Sequence, residues 1–484
     1  MADFDYDVGV LGGGSAGLTV TAGAAQLGAK TILIEKEGRL GGDCLHYGCV
    51  PSKTLIRTAH VYHMMKNAER FGLPGVEAKP VDYREVAKRI QYVIGTIQKH
   101  DSKERFCSLG AQVEYGEPEF ADEHTVRLGG KRYSARNWVV STGSSAAVPP
   151  IEGLDKTPFL TNRDIFSLER LPKSMVALGA GPIAVEMCQA FTRLGTKVAV
   201  VQRSGQILSK EDRDMADALM KVLEAEGVEF HLNTGIKRVR DLGSEREVVV
   251  EQGGREKSLK AECILLGLGR QGNHGPLGLD AIGVEADRKG IRVDARLRTP
   301  AHKHIYAAGD AIGKFLFTHA AGYEGGIVVS NAIFHLPRKA DYTLLPWCTY
   351  TDPELASIGM NEARAREAGI EYTVWVEEFR GNDRSLAEGE ETGRIKMLLD
   401  GRGRPLGVQI LGPQAGELIS EWVAALNGKV KLTSLVGAVH PYPTLGEINK
   451  KVVGNYISEK LYSEKVRKGL KFFFHLKGRA ACQQ

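Results

Sequence analysis

One short pattern occurs twice in this chain, and it constrains the fold more than anything else in the sequence. Tyr6 to Leu11 is an apolar run with β-branched residues, followed at once by Gly12-Gly13-Gly14-Ser15-Ala16-Gly17. A helix-compatible stretch, Leu18 to Leu27, comes next, and then a second apolar run, Lys30 to Ile34, closed by Glu35 and Lys36. Strand, glycine-rich turn, helix, strand and acid in that order are the context of a dinucleotide-binding fingerprint. Gly12 makes the turn, Gly14 admits a pyrophosphate, and Gly17 lets helix and strand pack closely. The phosphate charge sits at the helix N-terminus, where free N–H groups and the dipole favour it. The order recurs in Met175 to Leu178, Gly179-Ala180-Gly181-Pro182-Ile183-Ala184, a helix toward Leu194, and the strand Lys197 to Val201. Gly12 and Gly179 are 167 residues apart, and both Gly17 to Glu35 and Ala184 to Gln202 span 18. One such motif is weak evidence. Two in the same context imply two nucleotide sites.

The rest of the chain fits an insertion. The first nucleotide domain (1–150) breaks off after Ser141-Thr142-Gly143, a second (151–274) is inserted, and the first resumes over 275–342. Ile305 to Ala307 with Gly309-Asp310 looks like its returning strand and phosphate-side turn, and Gly269 and Arg270 precede the return. From 343 to 463 alternating strands (Tyr372 to Val376, Ile395 to Leu399, Gly407 to Leu411) and two helices predict an α+β domain. The expected class is therefore α/β, with two Rossmann-like domains, one inserted in the other, and a C-terminal α+β domain. Gly fits this reading: 57 of 484 residues is well above the roughly 7% of average proteins. A formal charge of +5 is small for 484 residues, and no nucleic-acid partner is expected. The acidic start Met-Ala-Asp-Phe-Asp-Tyr-Asp lacks the basic region of a secretory signal. Seven cysteines, an odd number scattered over a long chain, point away from a disulfide scaffold and toward a reducing cytoplasm.

Gly41-Gly42-Asp43-Cys44-Leu45-His46-Tyr47-Gly48-Cys49-Val50-Pro51-Ser52-Lys53 follows Glu35 closely. Two cysteines five apart meet only where the backbone leaves regular helix, and Gly48 supplies that freedom. Pro51 suits the first turn of a following helix, and a cysteine near a helix N-terminus ionises more easily. Lys53 lies one turn past Cys49 and could present a charge to a nearby ring. A redox-active pair, a structural disulfide and half of a zinc site are the three readings. Zinc lacks a second ligand pair at compatible spacing, so no resident metal is expected, and a structural disulfide sits badly in the cytoplasm. Cys107, Cys188, Cys263 and Cys348 have apolar neighbours in sequence and read as inert core residues.

With these motifs the chain resembles the pyridine nucleotide–disulfide oxidoreductases, the group containing glutathione reductase, dihydrolipoamide dehydrogenase and mercuric reductase. The likeness runs from Tyr6 to about Tyr462. It implies FAD on the first domain, with Glu35 at the adenosine ribose, Gly116 and Thr318 near the cofactor, and Asp310 on the ribitol. It implies that Cys49 faces the flavin, that Cys44 exchanges with substrate, and that Lys53 pairs with Glu186. It also implies a homodimer, in which the end of the last domain supplies a His-Glu pair to the partner's active site. Here that string is His440-Pro441-Tyr442-Pro443-Thr444-Leu445-Gly446-Glu447. Aligned on Pro443-Thr444 and Glu447, the base position holds Tyr442, and His440 sits two residues early. A disulfide substrate needs a base near neutral pH, which His provides and Tyr provides poorly. Mercuric reductases carry Tyr there. Their C-terminal Cys-Cys pair is absent, and only Cys482 remains.

The expectation is an enzyme: an FAD-dependent NAD(P)H oxidoreductase whose acceptor is a soft metal ion or another small molecule. Dihydrolipoamide dehydrogenase and an inactive metal- or membrane-bound scaffold are the alternatives. NADPH is slightly favoured over NADH, because Gln202 stands where an acid usually accepts from the ribose hydroxyls and Arg203 could pair with a 2′-phosphate. The tail (464–484) is distinct: Lys460 to Arg479 carries a net charge of +6 around Phe472-Phe473-Phe474. It suits either peripheral contact with an anionic membrane face or packing on the partner subunit.

Overall fold

The computed structural model describes residues 4–478 and 480, and it separates into two compact units. The first comprises the residues up to Leu208 and Lys221–Tyr342; the second comprises Ser209–Met220 and the chain from Thr343 onward.

The first unit holds both glycine-rich repeats. Tyr6–Leu11 is a nearly fully buried strand, parallel to Thr31–Glu35 on one side and to Lys131–Val140 on the other. Ala111–Tyr115 extends the sheet beyond Thr31–Glu35, and Ile305–Ala307 returns to pair with Lys131–Val140. Runs such as Thr-Ile-Leu-Ile-Glu are buried throughout, as strands covered on both faces must be. Trp138, wholly buried in this sheet, still satisfies its indole N–H on the His124 carbonyl at 2.8 Å. A second parallel sheet runs in the order Glu229–His231, Lys197–Val201, Ser174–Leu178, Cys263–Leu266. Beside it lies a three-stranded antiparallel sheet of Gly235–Asp241, Arg246–Gln252 and Arg255–Ala261. A two-stranded ribbon pairs Ser144–Ala146 with Arg270–Gly272, where the chain leaves the first sheet and where it comes back.

The second unit is a five-stranded antiparallel sheet in the order Trp347–Thr349, Glu354–Gly359, Pro405–Gly412, Arg394–Asp400, Tyr372–Glu378. Helices Ala415–Asn427 and Glu447–Leu461 supply core residues against it, among them Trp422, Ile448 and Val452. Trp422, fully buried, donates to Asn449 at 2.9 Å. Lys396 is also fully buried, and its ammonium lies 3.0, 2.7 and 2.6 Å from Asp212, Asp214 and Glu362. These three carboxylates converge as metal ligands would, but Lys396 is the cation they hold. A buried charge requires such partners.

Candidate active site

The two glycine-rich turns share a logic that the side-chain space makes visible. Gly12 has φ +102, and a Cβ there would stand 2.4 Å from the Ser141 carbonyl oxygen. A Cβ on Gly17 would stand 1.9 Å from the Gly12 oxygen. The protein's own packing demands both glycines. Gly14 differs: a Cβ there would meet only Gly42 Cα, at 3.9 Å. The second turn repeats this division. Gly179 has φ +98 and lies against Gly267, whereas a Cβ on Gly181 would meet nothing within 4 Å. Packing leaves the middle glycine of each turn unexplained, and a ligand backbone lying over it explains both. Each turn also opens a helix, Ser15–Gln26 and Pro182–Leu194, whose first N–H groups have no side-chain cap. Such a helix end favours a phosphate.

The residues ending each second strand fold back onto these turns. Glu35 is buried; its carboxylate accepts from Gly13 N–H at 2.6 Å and Glu37 N–H at 2.7 Å. Gln202 takes the corresponding place, accepting from Ala180 N–H at 3.2 Å while its amide donates to Ser204 at 2.6 Å. Lys36 and Arg203, the next residues, are exposed, and so is Ile183 at the start of the second helix.

Around the first turn the predicted cofactor residues come together from distant parts of the chain. Gly116 donates to the Glu35 carbonyl at 2.9 Å, and Ser15 Oγ donates to the Thr318 carbonyl at 2.9 Å. Thr142 Oγ1 is buried with no partner among the described residues, an orphaned polar atom of the kind a bound ligand satisfies. Gly143 accepts from Asn273 N–H. Asp310 accepts from Ser144 Oγ at 2.5 Å, and burial raises its pKa. Gly309, before it, donates to Glu324 at 2.6 Å. Glu324 is wholly buried and also accepts from Tyr342 at 2.7 Å; burial lifts its pKa to about 7. The turn, the orphaned hydroxyl and the acid–glycine clasp fit an adenine dinucleotide carrying a polyhydroxyl chain.

Arg270 is held by protein partners at the ribbon's start and in the cysteine box. Its guanidinium donates to Ser144 Oγ at 2.7 Å, the Ser144 carbonyl at 2.8 Å and Asp43 at 3.0 Å. Asn162 also donates to Asp43, at 3.1 Å. Asp43 immediately precedes Cys44, so this clasp fixes the segment that carries the first cysteine. Ser144, Asn162 and Glu324 were not among the sequence-predicted residues: no local spacing connects them to a motif.

The cysteine box is built as its glycines suggest. The short helix Gly42–His46 ends, Tyr47 and Gly48 break the path, and a long helix begins at Cys49 and runs to Lys66. Cys44 and Cys49 are free thiols, and Cys49 Sγ lies 3.2 Å from Thr318 Oγ1. The two sulfurs divide one proton. Cys49 is lowered to about 6, chiefly because the Cys44 thiol donates to it, with help from Thr318 and Lys53 against burial and Glu186. Cys44 is pushed far above the ordinary thiol range by that same donated bond and by burial. Lys53 Nζ donates to Glu186 at 2.8 Å, and the carboxylate is nearly buried. Of the cysteines expected in the core, Cys188 is buried and raised to about 12 by that burial. Cys263 and Cys348 are half-buried, and Cys107 is exposed: its helix, Lys103–Ser108, buries only Phe106, and neighbouring apolar residues in sequence do not share its face. Cys482 lies outside the described residues.

In the second unit, Tyr442 is largely exposed and donates to Asp383 at 2.7 Å. His440 Nε2 lies 2.9 Å from Glu421. Glu447 accepts from the Thr444 N–H at 3.4 Å, so neither the phenol nor the imidazole takes it as hydrogen-bond partner.

Comparison with known proteins agrees with this geometry. Residues 6–325 match the pyridine nucleotide-disulphide oxidoreductase family, and 345–453 match its dimerisation domain. The chain is 32% identical to a mercuric reductase of Bacillus cereus, over 92% of this chain and 70% of that one. It is 34% identical to a dihydrolipoyl dehydrogenase of Chlorobaculum tepidum, over 91% and 95%. A Cu(II) complex of the HOCl-induced flavoprotein disulfide reductase RclA from Escherichia coli superposes with a TM-score of 0.84 at 25% identity, covering 94% of this chain and 100% of that one. No helix among the described residues is long and apolar enough to cross a membrane. Two fingerprints, a paired-cysteine box and a dimerisation module, all matched along their length, make this chain a member of the FAD-dependent pyridine nucleotide-disulfide oxidoreductases, enzymes that use NAD(P)H and pair as homodimers.

Proposed function

We propose that this enzyme passes electrons from NADPH to a soft metal ion held at the Cys44–Cys49 pair. The observation that carries the reading is Tyr442, whose phenol donates to Asp383 at 2.7 Å at the position where the family resemblance implies a base. The hydrogen bond between the two sulfurs lowers the Cys49 pKa and favours the proton on Cys44. A disulfide acceptor reacting at Cys44 needs a base to take that proton, and such a base typically contributes about 10² to 10⁴ in rate. By family resemblance the base position falls on Tyr442 of the second subunit. Its phenol donates to Asp383, which raises its pKa further above the ordinary value, and the Glu447 charge adds to that. A phenol so held is a poor base at neutral pH. A soft metal ion needs none, because thiolate ligation itself displaces the proton. The mercuric reductase relatives support a soft metal ion as acceptor, and the similar structure in complex with Cu(II) is that of a flavoprotein disulfide reductase that binds a metal ion.

FAD, when bound, would relay the two electrons of the nicotinamide to the metal ion that the reduced Cys44–Cys49 pair holds. The chain would hold it with the Gly12–Gly17 turn, Glu35, Gly116, Thr142 and Asp310, and the nicotinamide with the Gly179–Ala184 turn, Gln202 and Arg203. Lys53 stabilises the Cys49 thiolate, and Glu186 holds Lys53 in place. We place the enzyme in the reducing cytoplasm, where a cysteine pair of this kind is more often catalytic than structural.

One observation favours a second reading, dihydrolipoamide dehydrogenase. His440 is paired with the Glu421 carboxylate, as a base oriented by an acid would be. Turnover of the purified holoenzyme with NADPH and mercuric ion, lipoamide or glutathione disulfide separates the two. We expect disulfide turnover slower than metal turnover by about 10² or more, with Tyr442→His recovering about tenfold of it. Fast lipoamide turnover that disappears in His440→Ala would establish the second reading instead.

A further inference from the structure

The chain beyond the dimerisation module forms a helix that neither the nucleotide sites nor the thiol pair uses. The module's match ends at residue 453. After the helix Glu447–Leu461, one more follows, Glu464–Phe474, and none of its residues is buried. At about 100° per residue, Val466, Leu470, Phe473 and Phe474 gather on one side. Lys465, Arg467, Lys468 and Lys471 flank that stripe and cover the other side. Phe472, Phe473 and Phe474 are 74%, 74% and 70% exposed. The rings of Phe472 and Phe473 meet edge to face, their centroids 5.1 Å apart. Three adjacent phenylalanines open to water are a contact surface, because scattered apolar residues do not cluster this way. Eleven residues are also marginal as an isolated helix in water, so packing against something must stabilise it.

Charge decides what that something is. Residues 460–479 carry +6, more than the +5 of the whole chain. A second copy would bring the same positive helix and the same positive net charge. An anionic bilayer offers complementary charge to the lysines and an apolar boundary to the rings. The helix is far shorter than the about 20 residues a span needs, so it would lie in the interface plane. We infer that the helix Glu464–Phe474 docks this enzyme, as a peripheral protein, on a membrane surface rich in anionic lipid. This inference is independent of which acceptor the thiol pair serves.

Co-sedimentation of the full-length holoenzyme with vesicles of phosphatidylcholine, with or without phosphatidylserine, tests it. The protein should sediment with the anionic vesicles, stay in solution with the neutral ones, and be released by salt. Lys465→Glu combined with Lys468→Glu and Lys471→Glu should lower partitioning at least on the order of a hundredfold. Replacing Phe472, Phe473 and Phe474 together by Ser should lower it about tenfold or more. Dimer size and dye turnover without vesicles should stay at wild-type values in both variants. Equal partitioning of wild type and variants, or equal binding to neutral and anionic vesicles, overturns the inference. Dissociation of the Phe variant into monomers would also overturn it, by assigning the helix to the subunit contact.

Discussion

The two glycine-rich repeats of the first unit are built alike and end differently. Both place one glycine where the protein's own backbone excludes a Cβ, at Gly12 and Gly179, and one where packing excludes nothing, at Gly14 and Gly181. Both send the residue at the end of the second strand back to the turn's N–H groups. The first repeat ends on a buried carboxylate and runs into the cysteine box. The second ends on a neutral amide followed by an exposed arginine. The shared part is what any dinucleotide needs. The difference separates the two sites: the first leads into the cysteine box, and the second offers a neutral amide where the first offers a carboxylate.

The comparison breaks most visibly at the glycines. Gly17→Ala puts a methyl 1.9 Å from the Gly12 carbonyl oxygen, and the helix must move off the strand. Overpacking of that kind costs about 1–3 kcal/mol and sometimes more, and here it opens the cofactor turn as well. We expect purified Gly17→Ala to be largely free of flavin, read from absorbance per protein. Gly181→Ala should stay within about 1 kcal/mol of wild type in thermal unfolding, because its methyl meets no protein atom. If a ligand lies there, its nicotinamide KM should rise about tenfold or more, a loss of about 1.4 kcal/mol. An unchanged KM would show that nothing occupies the space over Gly181.

The second test concerns what only the first repeat leads to. The Cys49 thiolate should give the two-electron-reduced holoenzyme a broad long-wavelength absorption band, absent in Cys49→Ser. Cys49 is lowered to about 6, so the thiolate is the major form above that pH and protonation removes it below. The band should therefore fade as pH falls through about 6 and not as it rises. Thr318→Val deletes one hydrogen bond to the sulfur and should shift the midpoint upward. A band that persists in Cys49→Ser would move the flavin-side role to Cys44.

Much of this was legible in sequence because it is local. Glycine spacing, strand periodicity and the cysteine box each lie within some twenty residues, and the two strand-turn-helix repeats and three strands of the second unit's sheet follow from them. Other features depend on residues that meet only through the fold. Asp43 finds Arg270 and Asn162 from 227 and 119 positions away, and Glu324 reaches Gly309 across a turn that no motif marks. The same limit applies to Cys107, whose exposure is set by the face of a short helix. Near the C-terminus, Glu447 looked in sequence like the partner of Tyr442 or His440. The fold instead supplies Asp383 and Glu421, which lie 59 and 19 residues away along the chain.

The smallest expected effect is the most specific to the difference between the repeats. Glu35 and Gln202 occupy matching places, so exchanging their chemistry asks how far the match extends. Glu35→Gln turns one acceptor oxygen into an N–H₂ facing the backbone N–H of Gly13 or Glu37. Hydrogen bonds to a charged group are worth about 1.5–3 kcal/mol, so flavin affinity should fall by about ten- to a hundredfold. Gln202→Glu works in the opposite sense. The new carboxylate keeps an acceptor for Ala180 N–H and gains one for a ribose hydroxyl, but it repels a 2′-phosphate. The ratio of kcat/KM for NADPH over NADH should fall about tenfold, mostly through KM. Arg203→Ala should lower the same ratio only about two- to fivefold, since an exposed charge pair contributes about 0.2–1 kcal/mol. Both changes should leave the Cys49 band intact, because neither residue approaches the thiol pair through any contact seen here. If neither changes the ratio, Gln202 and Arg203 are ordinary loop residues, and the second repeat recognises the nucleotide only through what it shares with the first.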